Sequence, residues 1–211
     1  TLPGGREKML GPGHALYCAA DKIDGDFVLI NADDFYGLDS YKIAAEFFEN
    51  SQNSTNYLTV NNPFAVTASK NGAVKRGVVF TDKDNYVTNN LECEISNASG
   101  KLIASALNSS LEFEISEYQP VTVNFFGLRK SFLDILASEF NKFIHGNIDL
   151  KSEFLLPEVI REAIQEGKIK MQAKTSKSKW LGITYKEDLA YLKNNIKVLI
   201  EKGEYPENLW D

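Results

Sequence analysis

The chain has 211 residues, 43% of them apolar, which is enough to bury a substantial core in one large domain or two small ones. Its formal net charge of -6 argues against nucleic acid as a partner, because phosphate backbones are bound by basic surfaces. The two cysteines, Cys18 and Cys93, form no metal-binding pattern, and we find no membrane-length apolar run and no signal peptide, so we expect a cytoplasmic protein.

The N-terminal part of the chain alternates helix and strand patterns. In order, the sequence predicts a helix that begins at His14 after a glycine turn, a strand over 27–30, a helix over 39–50 and a strand over 57–60. The strand over 27–30 is an uninterrupted apolar run, which is typical of a central strand covered on both faces. Short crossovers of this kind favour parallel neighbours, so we predict one α/β domain whose mixed, largely parallel central sheet carries helices on both faces.

The rest of the chain predicts further strands and three long helices. In order, it predicts one helical turn over 65–69, a hairpin of strands over 77–81 and 86–92, strands over 111–115 and 121–128, helices over 131–144 and 154–167, strands over 168–174 and 180–185, and a helix over 186–202. Residues 96–116 are rich in Ser and Asn, so we expect an edge or an insertion there.

Two adjacent carboxylates, Asp33 and Asp34, follow the strand over 27–30. They could simply cap the next helix or lie in a solvated turn, which is where adjacent aspartates in loops usually are. A functional role is favoured by their place at the carboxyl end of a buried strand, where ligands bind in open α/β sheets and a divalent cation can stabilise a carboxylate. Gly11 and Gly13 support that role, since glycines let the backbone approach a ligand closely.

Asn124 is a further candidate site residue, because it is a polar residue in an otherwise largely apolar strand. It lies within the apolar run over 121–128, so its amide is expected to be buried and to need hydrogen-bond partners. The amide either satisfies nearby backbone groups or contacts a ligand.

Four segments resemble sequences of bacterial sugar-1-phosphate nucleotidylyltransferase-like proteins. They are G-P-G-H-A at 11–15, F-V-L-I-N-A-D-D-F-Y-G at 27–37, K-W-L-G-I-T-Y-K-E-D at 179–188 and G-E-Y-P-E-N-L-W at 203–210. The resemblance covers nearly the whole chain and is weaker between residues 97 and 119. It implies a glycosyltransferase-A-like nucleotide-binding fold and an enzyme that joins a nucleoside triphosphate to a sugar 1-phosphate with release of pyrophosphate.

The resemblance also implies roles for particular residues. Asp33 would be the catalytic residue that holds Mg²⁺, and Asp34 would not be its equal, because neighbouring strand residues point to opposite sides. The nucleotide would be bordered by Gly11, Gly13, His14 and Asn31, and the sugar would face Glu92 and Asn124. Without the resemblance, Glu92 is more simply an exposed strand residue, and Glu94 is an alternative match.

The chain departs from this family's pattern in three places. It contains no glycine-rich L-A-A-G-x-G-x-R loop, so we expect roughly the C-terminal two-thirds of a nucleotidyltransferase-like domain, inactive alone, with the sheet edge covered by a missing N-terminal segment or another copy of the chain. Cys93 stands where a basic residue follows the acidic one. Gly182 stands where a second metal-binding Asp follows the W-L pair, although Asp188 lies further on.

Three functions therefore stay open. The first is a nucleotidyltransferase, or the C-terminal part of one. The second is a nucleotide- or sugar-binding protein on the same fold that does not catalyse, which the absent loop and Gly182 favour. The third is a metal-dependent glycosyltransferase, although its usual D-x-D signature is replaced here by adjacent aspartates.

Overall fold

The computed structural model describes residues 3–51 and 55–208, so the first two residues and positions 209 and 210 of the C-terminal motif lie outside the described chain. The helices are α1 (Pro12–Ala19), α2 (Gly37–Asn50), α3 (Phe64–Thr67), α4 (Phe132–His145), α5 (Leu156–Gln165) and α6 (Asp188–Glu201). The strands are β1 (Phe27–Leu29), β2 (Asn56–Pro63), β3 (Val74–Thr81), β4 (Val87–Ala98), β5 (Lys101–Ala106), β6 (Glu112–Ile115), β7 (Pro120–Thr122), β8 (Phe126–Leu128) and β9 (Lys170–Thr175). Most predicted elements are confirmed, with shifted ends.

Strand direction differs from the prediction. The sheet has the order β1-β8-β2-β7-β3-β4-β5-β6 with β9 beside β2, and among the described pairs only β2 and β9 are parallel. The predicted largely parallel sheet is therefore wrong. The physical reason is that β8 lies between β1 and β2 and runs against both, so the two strands joined through α2 share a direction without being neighbours.

The environment of β1 also differs from the prediction. Among the described residues β1 pairs only with β8, at one end of the strand order. Its residues Phe27, Val28 and Leu29 are half-buried, and Ile30 after them is exposed. The apolar run therefore forms a partly covered strand rather than one buried on both faces.

Helices pack on both faces of the sheet, as predicted. Alternate residues of β2 show this, because successive strand residues point to opposite faces. Tyr57 packs in an apolar cluster with Phe132 of α4 and Ile160 of α5, whereas Leu58 packs in a second cluster with Phe47 of α2. The fold is a mixed α/β arrangement with a predominantly antiparallel sheet.

The hairpin strands β3 to β6 carry a third apolar cluster, which includes Val78, Cys93 and Ile95. The predicted hairpin is confirmed, since β3 and β4 pair along their length. β5 was not predicted, because the segment that forms it is short and rich in small residues. β6 ends the strand order, which agrees with the edge expected within residues 96–116.

The segment predicted as a strand over 180–185 forms only an isolated bridge, in which Leu181 and Phe35 exchange two backbone hydrogen bonds of 2.9 Å. This bridge fixes the chain after β9 beside the loop after β1. The predicted closing helix follows as α6 and contributes no fully buried residue. Within the described ranges, no helix is both long and apolar enough to cross a membrane.

Candidate functional site

A polar cleft of about 160 Å³ lies where the loop after β1 meets the break between β7 and β8. Four residues predicted for the site line it together, namely Asn31, Asp33, Glu92 and Asn124. The cleft is also lined by Asp34, Arg76, Gly77, Thr122 and Trp180. Residues from five separate parts of the chain therefore meet in one polar cavity.

Antiparallel pairing explains how residues far apart in sequence meet here. Leu29 at the end of β1 pairs with Phe126 at the start of β8, so the residues that follow Leu29 lie beside those that precede Phe126. Accordingly, the side-chain amide of Asn124 donates a hydrogen bond to Asn31 Oδ1 at 3.3 Å. β8, whose antiparallel pairing with β1 and β2 contradicts the predicted parallel sheet, therefore also places Asn124 at the cleft.

Asn124 interrupts the strand predicted over 121–128. Its φ of 63° lies in the left-handed region, and its backbone N–H donates to Thr122 Oγ1 at 3.2 Å instead of a neighbouring strand. Asn is one of the few side chains that tolerate this conformation. The residue therefore lies in the break between β7 and β8 and lines the cleft.

Asp34 belongs to a hydrogen-bonded network that holds the loop after β1. Its Oδ2 accepts from Asn31 Nδ2 at 2.9 Å and lies 3.3 Å from the Tyr36 hydroxyl. That hydroxyl donates to the carbonyl oxygen of Val123 at 2.6 Å and accepts from the Asn31 backbone N–H at 3.1 Å. Burial raises the pKa of Asp34 above its ordinary value, and the Asn31 hydrogen bond acts against this shift. The Asp34 carboxylate therefore helps to hold the loop after β1 in place.

Asp33 is placed differently from its neighbour. Its side chain is exposed at the cleft, and within the described ranges it makes no hydrogen bond or ion pair. Its charge is one of the causes that raise the pKa of Asp34. Of the two adjacent carboxylates, Asp33 is the more exposed and has no hydrogen bond to another described residue on either oxygen, whereas Asp34 has its Oδ2 engaged by Asn31.

Arg76 brings a buried positive charge to the cleft, which sequence reasoning missed. Only 8% of its surface is exposed, and its guanidinium donates to the carbonyl oxygen of Thr67 at 2.6 Å and lies 4.7 Å from the centre of the Trp180 ring. Burial lowers the pKa of Arg76, and nearby Asp34 raises it. Arg76 pairs across the strands with Cys93, so a cation adjoins the position where the sequence lacks one.

Glu92 lies on β4 directly opposite Gly77 of β3. The pKa of Glu92 is raised to about 7, chiefly by burial and also by the charge of Glu158, while Arg76 acts in the opposite direction. Near neutral pH the side chain is therefore partly protonated. A carboxyl group in that state donates as well as accepts hydrogen bonds, which suits a ligand that carries hydroxyl groups.

The stability of the protein is expected to fall as the pH rises from about 4.5 to about 7 because of Glu92. In this window the carboxyl group is protonated in the folded protein and ionised in the unfolded chain, so the folded state binds one more proton. Urea denaturation at several pH values should show the slope in the wild type and a shallower one in Glu92→Gln. Equal slopes in the two proteins would contradict the raised pKa.

Gly11, Gly13 and His14 do not line the cleft. They lie at the start of α1, where the Gly13 N–H donates to the carbonyl oxygen of Phe154 at 3.0 Å. The His14 ring packs against Phe140, with ring centres 5.2 Å apart. Their assignment to the nucleotide stays a prediction, and the structure gives the glycines a packing role beside Phe154.

Gly182 lies directly against Asp34. A Cβ atom at this position would be 2.6 Å from Asp34 Oδ1 and would overlap the Trp180 ring. The resemblance implies a second metal-binding Asp at this position. The position does lie beside Asp34, but its glycine supplies no carboxylate. Asp188 accepts backbone hydrogen bonds from Thr184 at 3.1 Å and Tyr185 at 2.8 Å, so it stabilises the turn before α6.

Whether a cation can bind depends on which side chains are available as metal ligands. Over residues 3–51 and 55–208, no group of three or more His, Cys, Asp or Glu side chains is placed to hold a metal ion. Asp33 still offers one exposed carboxylate, and Mg²⁺ in nucleotide sites is commonly held by one or two carboxylates and the substrate's phosphates. The residues fit a cation shared with phosphate groups better than one enclosed by protein.

No protein-family model matches the chain, and no curated protein matches its sequence. Among solved structures, the chain is similar to a crystal structure of UDP-glucose pyrophosphorylase complexed with UDP-glucose, with a TM-score of 0.57 and 15% sequence identity. The match covers 90% of this chain and 64% of that chain. At this identity the similarity shows the fold alone, and both proteins share a mixed α/β fold.

Proposed function

We propose that the cleft binds a nucleotide sugar and that the protein serves nucleotidyl transfer between a nucleoside triphosphate and a sugar 1-phosphate. The observation that carries this proposal is the convergence of Asn31, Asp33, Glu92 and Asn124 in one cleft of a nucleotidylyltransferase-like fold. Amide and carboxyl side chains are the groups that recognise sugar hydroxyls, and an exposed carboxylate suits a phosphate-bound cation.

Asp33 would hold Mg²⁺ together with the phosphate oxygens of the bound nucleotide. Bound there, the cation would neutralise the phosphate charge during nucleotidyl transfer. Asp33 is suited to this role because its carboxylate is exposed and has no partner among the described residues. Asp34 is less suited, because its Oδ2 already accepts a hydrogen bond from Asn31.

Glu92 and Asn124 would orient the sugar. The hydrogen bond between Asn124 and Asn31 links the sugar side of the cleft to the loop that carries Asp33, so both ligand groups would be held by one connected set of side chains. The buried charge of Arg76 offsets part of the negative charge of Asp34 and Glu92, which limits their repulsion of phosphate groups.

Binding without catalysis is the second candidate function. It is favoured by Gly182, which adjoins Asp34 where a second carboxylate would otherwise stand. The 211 residues also contain no glycine-rich triphosphate loop, so we expect this chain alone to bind a nucleotide sugar without turnover.

Calorimetric titration with UDP-glucose, dTDP-glucose and GDP-mannose, each with and without Mg²⁺, tests the proposal. We expect at least one of the three to bind, and to bind more weakly when Mg²⁺ is removed. Pyrophosphate release from the matching triphosphate and sugar 1-phosphate then separates nucleotidyl transfer from binding alone. If none of the three shows Mg²⁺-dependent binding, the proposal fails.

Asn124→Gly is expected to keep the fold and to weaken nucleotide-sugar binding about fivefold. Glycine adopts a φ of 63° without strain, whereas loss of the amide removes a hydrogen bond worth about 1 kcal/mol. Titration and thermal unfolding measure the two effects separately. Asn124→Val is the contrasting variant, and it should unfold at a lower temperature because a β-branched residue is strained at this φ. Unchanged affinity in Asn124→Gly would mean that the amide serves only Asn31.

A further inference from the structure

Lys75 is an exposed basic residue that lines the cleft. It lies on β3 two residues before Gly77, and Gly77 pairs directly with Glu92 of β4. Residues two apart in a strand share a face, and so do residues directly opposite each other in an antiparallel pair, so Lys75 and Glu92 are diagonal neighbours on one face of the hairpin. A long side chain can span this separation. The cleft therefore has a lysine beside the residue proposed to orient the sugar.

The amino group of Lys75 is not engaged by the protein. Within residues 3–51 and 55–208 it makes no hydrogen bond and no ion pair. Glu94 stands directly opposite Lys75 on β4, yet these two side chains also form no ion pair. The positive charge at this position is therefore available to a ligand.

The other basic residue among those that line the cleft, Arg76, is held by the protein. Its Nη1 donates to the carbonyl oxygen of Lys75 at 2.7 Å and its Nη2 to that of Thr67 at 2.6 Å, and the guanidinium lies over the Trp180 ring. Cys93, which stands where the resemblance has a basic residue, is fully buried in the third apolar cluster. Of these three positions, only Lys75 presents an exposed cation to the cleft.

We propose that Lys75 binds the phosphate group attached to the sugar of a nucleotide sugar in the cleft. This inference rests on the proposed function and adds to it a phosphate-binding residue on β3. The ammonium group of a lysine only donates hydrogen bonds, and a phosphate near neutral pH mainly accepts them. The phosphate linked to the sugar is the one nearest to it, so a cation beside Glu92 would meet that phosphate before the one linked to the nucleoside.

The charges of the cleft give this lysine a further importance. Asp33, Asp34 and Glu92 line the same cavity, and their negative charges disfavour a phosphate unless cations offset them. A cation at Asp33 would offset part of this charge on one side of the cleft. Lys75 would offset it on the side of Glu92, where the sugar and its phosphate meet.

The test compares a ligand that contains the sugar-linked phosphate with one that lacks it. The probe is whichever of UDP-glucose, dTDP-glucose and GDP-mannose binds the wild type, and UMP, dTMP or GMP is its counterpart, measured by competition with Mg²⁺ present. Lys75→Met should weaken binding of the nucleotide sugar roughly tenfold or more, because a charge-assisted hydrogen bond is lost. Binding of the monophosphate and the temperature of unfolding should not change. Lys75→Arg should retain most of the affinity, since it keeps the charge.

Lys83→Met is the matched control. It removes the same charge from an exposed lysine in the turn between β3 and β4, which does not line the cleft, and should bind both ligands as the wild type does. Wild-type affinity for the nucleotide sugar in Lys75→Met, or an equal loss in Lys83→Met, would overturn the inference while the proposed function stands. An equal loss for the monophosphate would assign the lysine to the other phosphate and would also overturn it. A wild type that binds none of the three nucleotide sugars would overturn both.

Discussion

Asp33→Asn is expected to remove the Mg²⁺-dependent part of nucleotide-sugar binding while leaving the stability of the protein unchanged. The substitution keeps the size of the side chain and removes the charge that would hold the cation. The Asp33 side chain is exposed and makes no hydrogen bond or ion pair with another described residue, so the substitution removes no interaction that stabilises the fold. Loss of a charge-assisted contact of about 2–3 kcal/mol lowers affinity roughly a hundredfold.

Two further variants make this measurement decisive. Asp34→Asn should retain most of the Mg²⁺ dependence, because an amide can replace the carboxylate in the network with Asn31 and Tyr36 and burial already raises the pKa of this group. Asp21→Asn changes an exposed carboxylate away from the cleft and should alter neither binding nor stability. A larger loss of Mg²⁺ dependence in Asp34→Asn than in Asp33→Asn would assign the cation to Asp34. Any Mg²⁺-dependent pyrophosphate release should follow the same order.

Local pattern was enough to find the strands but not their directions. The apolar run over 27–30, the amphipathic helix after it and the strand over 57–60 all exist, and β1 and β2 do run the same way. What the pattern could not show is that β8, from a distant part of the chain, lies between them. Strand order depends on contacts between distant segments, and hydrophobic periodicity carries no information about them.

The sequence likewise predicted some residues of the candidate site and missed others. Asn31, Asp33, Glu92 and Asn124 were identified because a strand end, a buried amide or a resemblance marked each of them, and they meet in one cleft. Arg76 and Trp180 were missed as site residues. A single arginine in the run V-K-R-G-V-V gives no sign that it is buried, since that depends on Trp180 covering it from the segment after β9.

Gly13→Val is expected to lower the free energy of unfolding by about 2–3 kcal/mol, which is the cost of overpacking a rigid contact. A Cβ atom on Gly13 would lie 2.7 Å from the backbone carbonyl oxygen of Phe154, the same oxygen that accepts the Gly13 N–H at 3.0 Å. A flexible side chain could move away at little cost, but a backbone oxygen can move only with its chain. The start of α1 would therefore separate from Phe154, and a buried hydrogen bond would be lost with the packing.

Gly25→Val is the matched control for this variant. A Cβ atom on Gly25 would meet nothing within 4 Å, and its φ lies outside the left-handed region, so the change should stay within about 0.5 kcal/mol. Urea denaturation of both variants and titration with the nucleotide sugar give stability and affinity side by side. If Gly13→Val unfolds as the wild type does but binds the nucleotide sugar more weakly, the glycine serves the ligand, as the resemblance implies. If its stability falls while affinity at temperatures below unfolding is retained, the close approach made by this glycine is to Phe154, and the nucleotide is bound by the residues around Asp33.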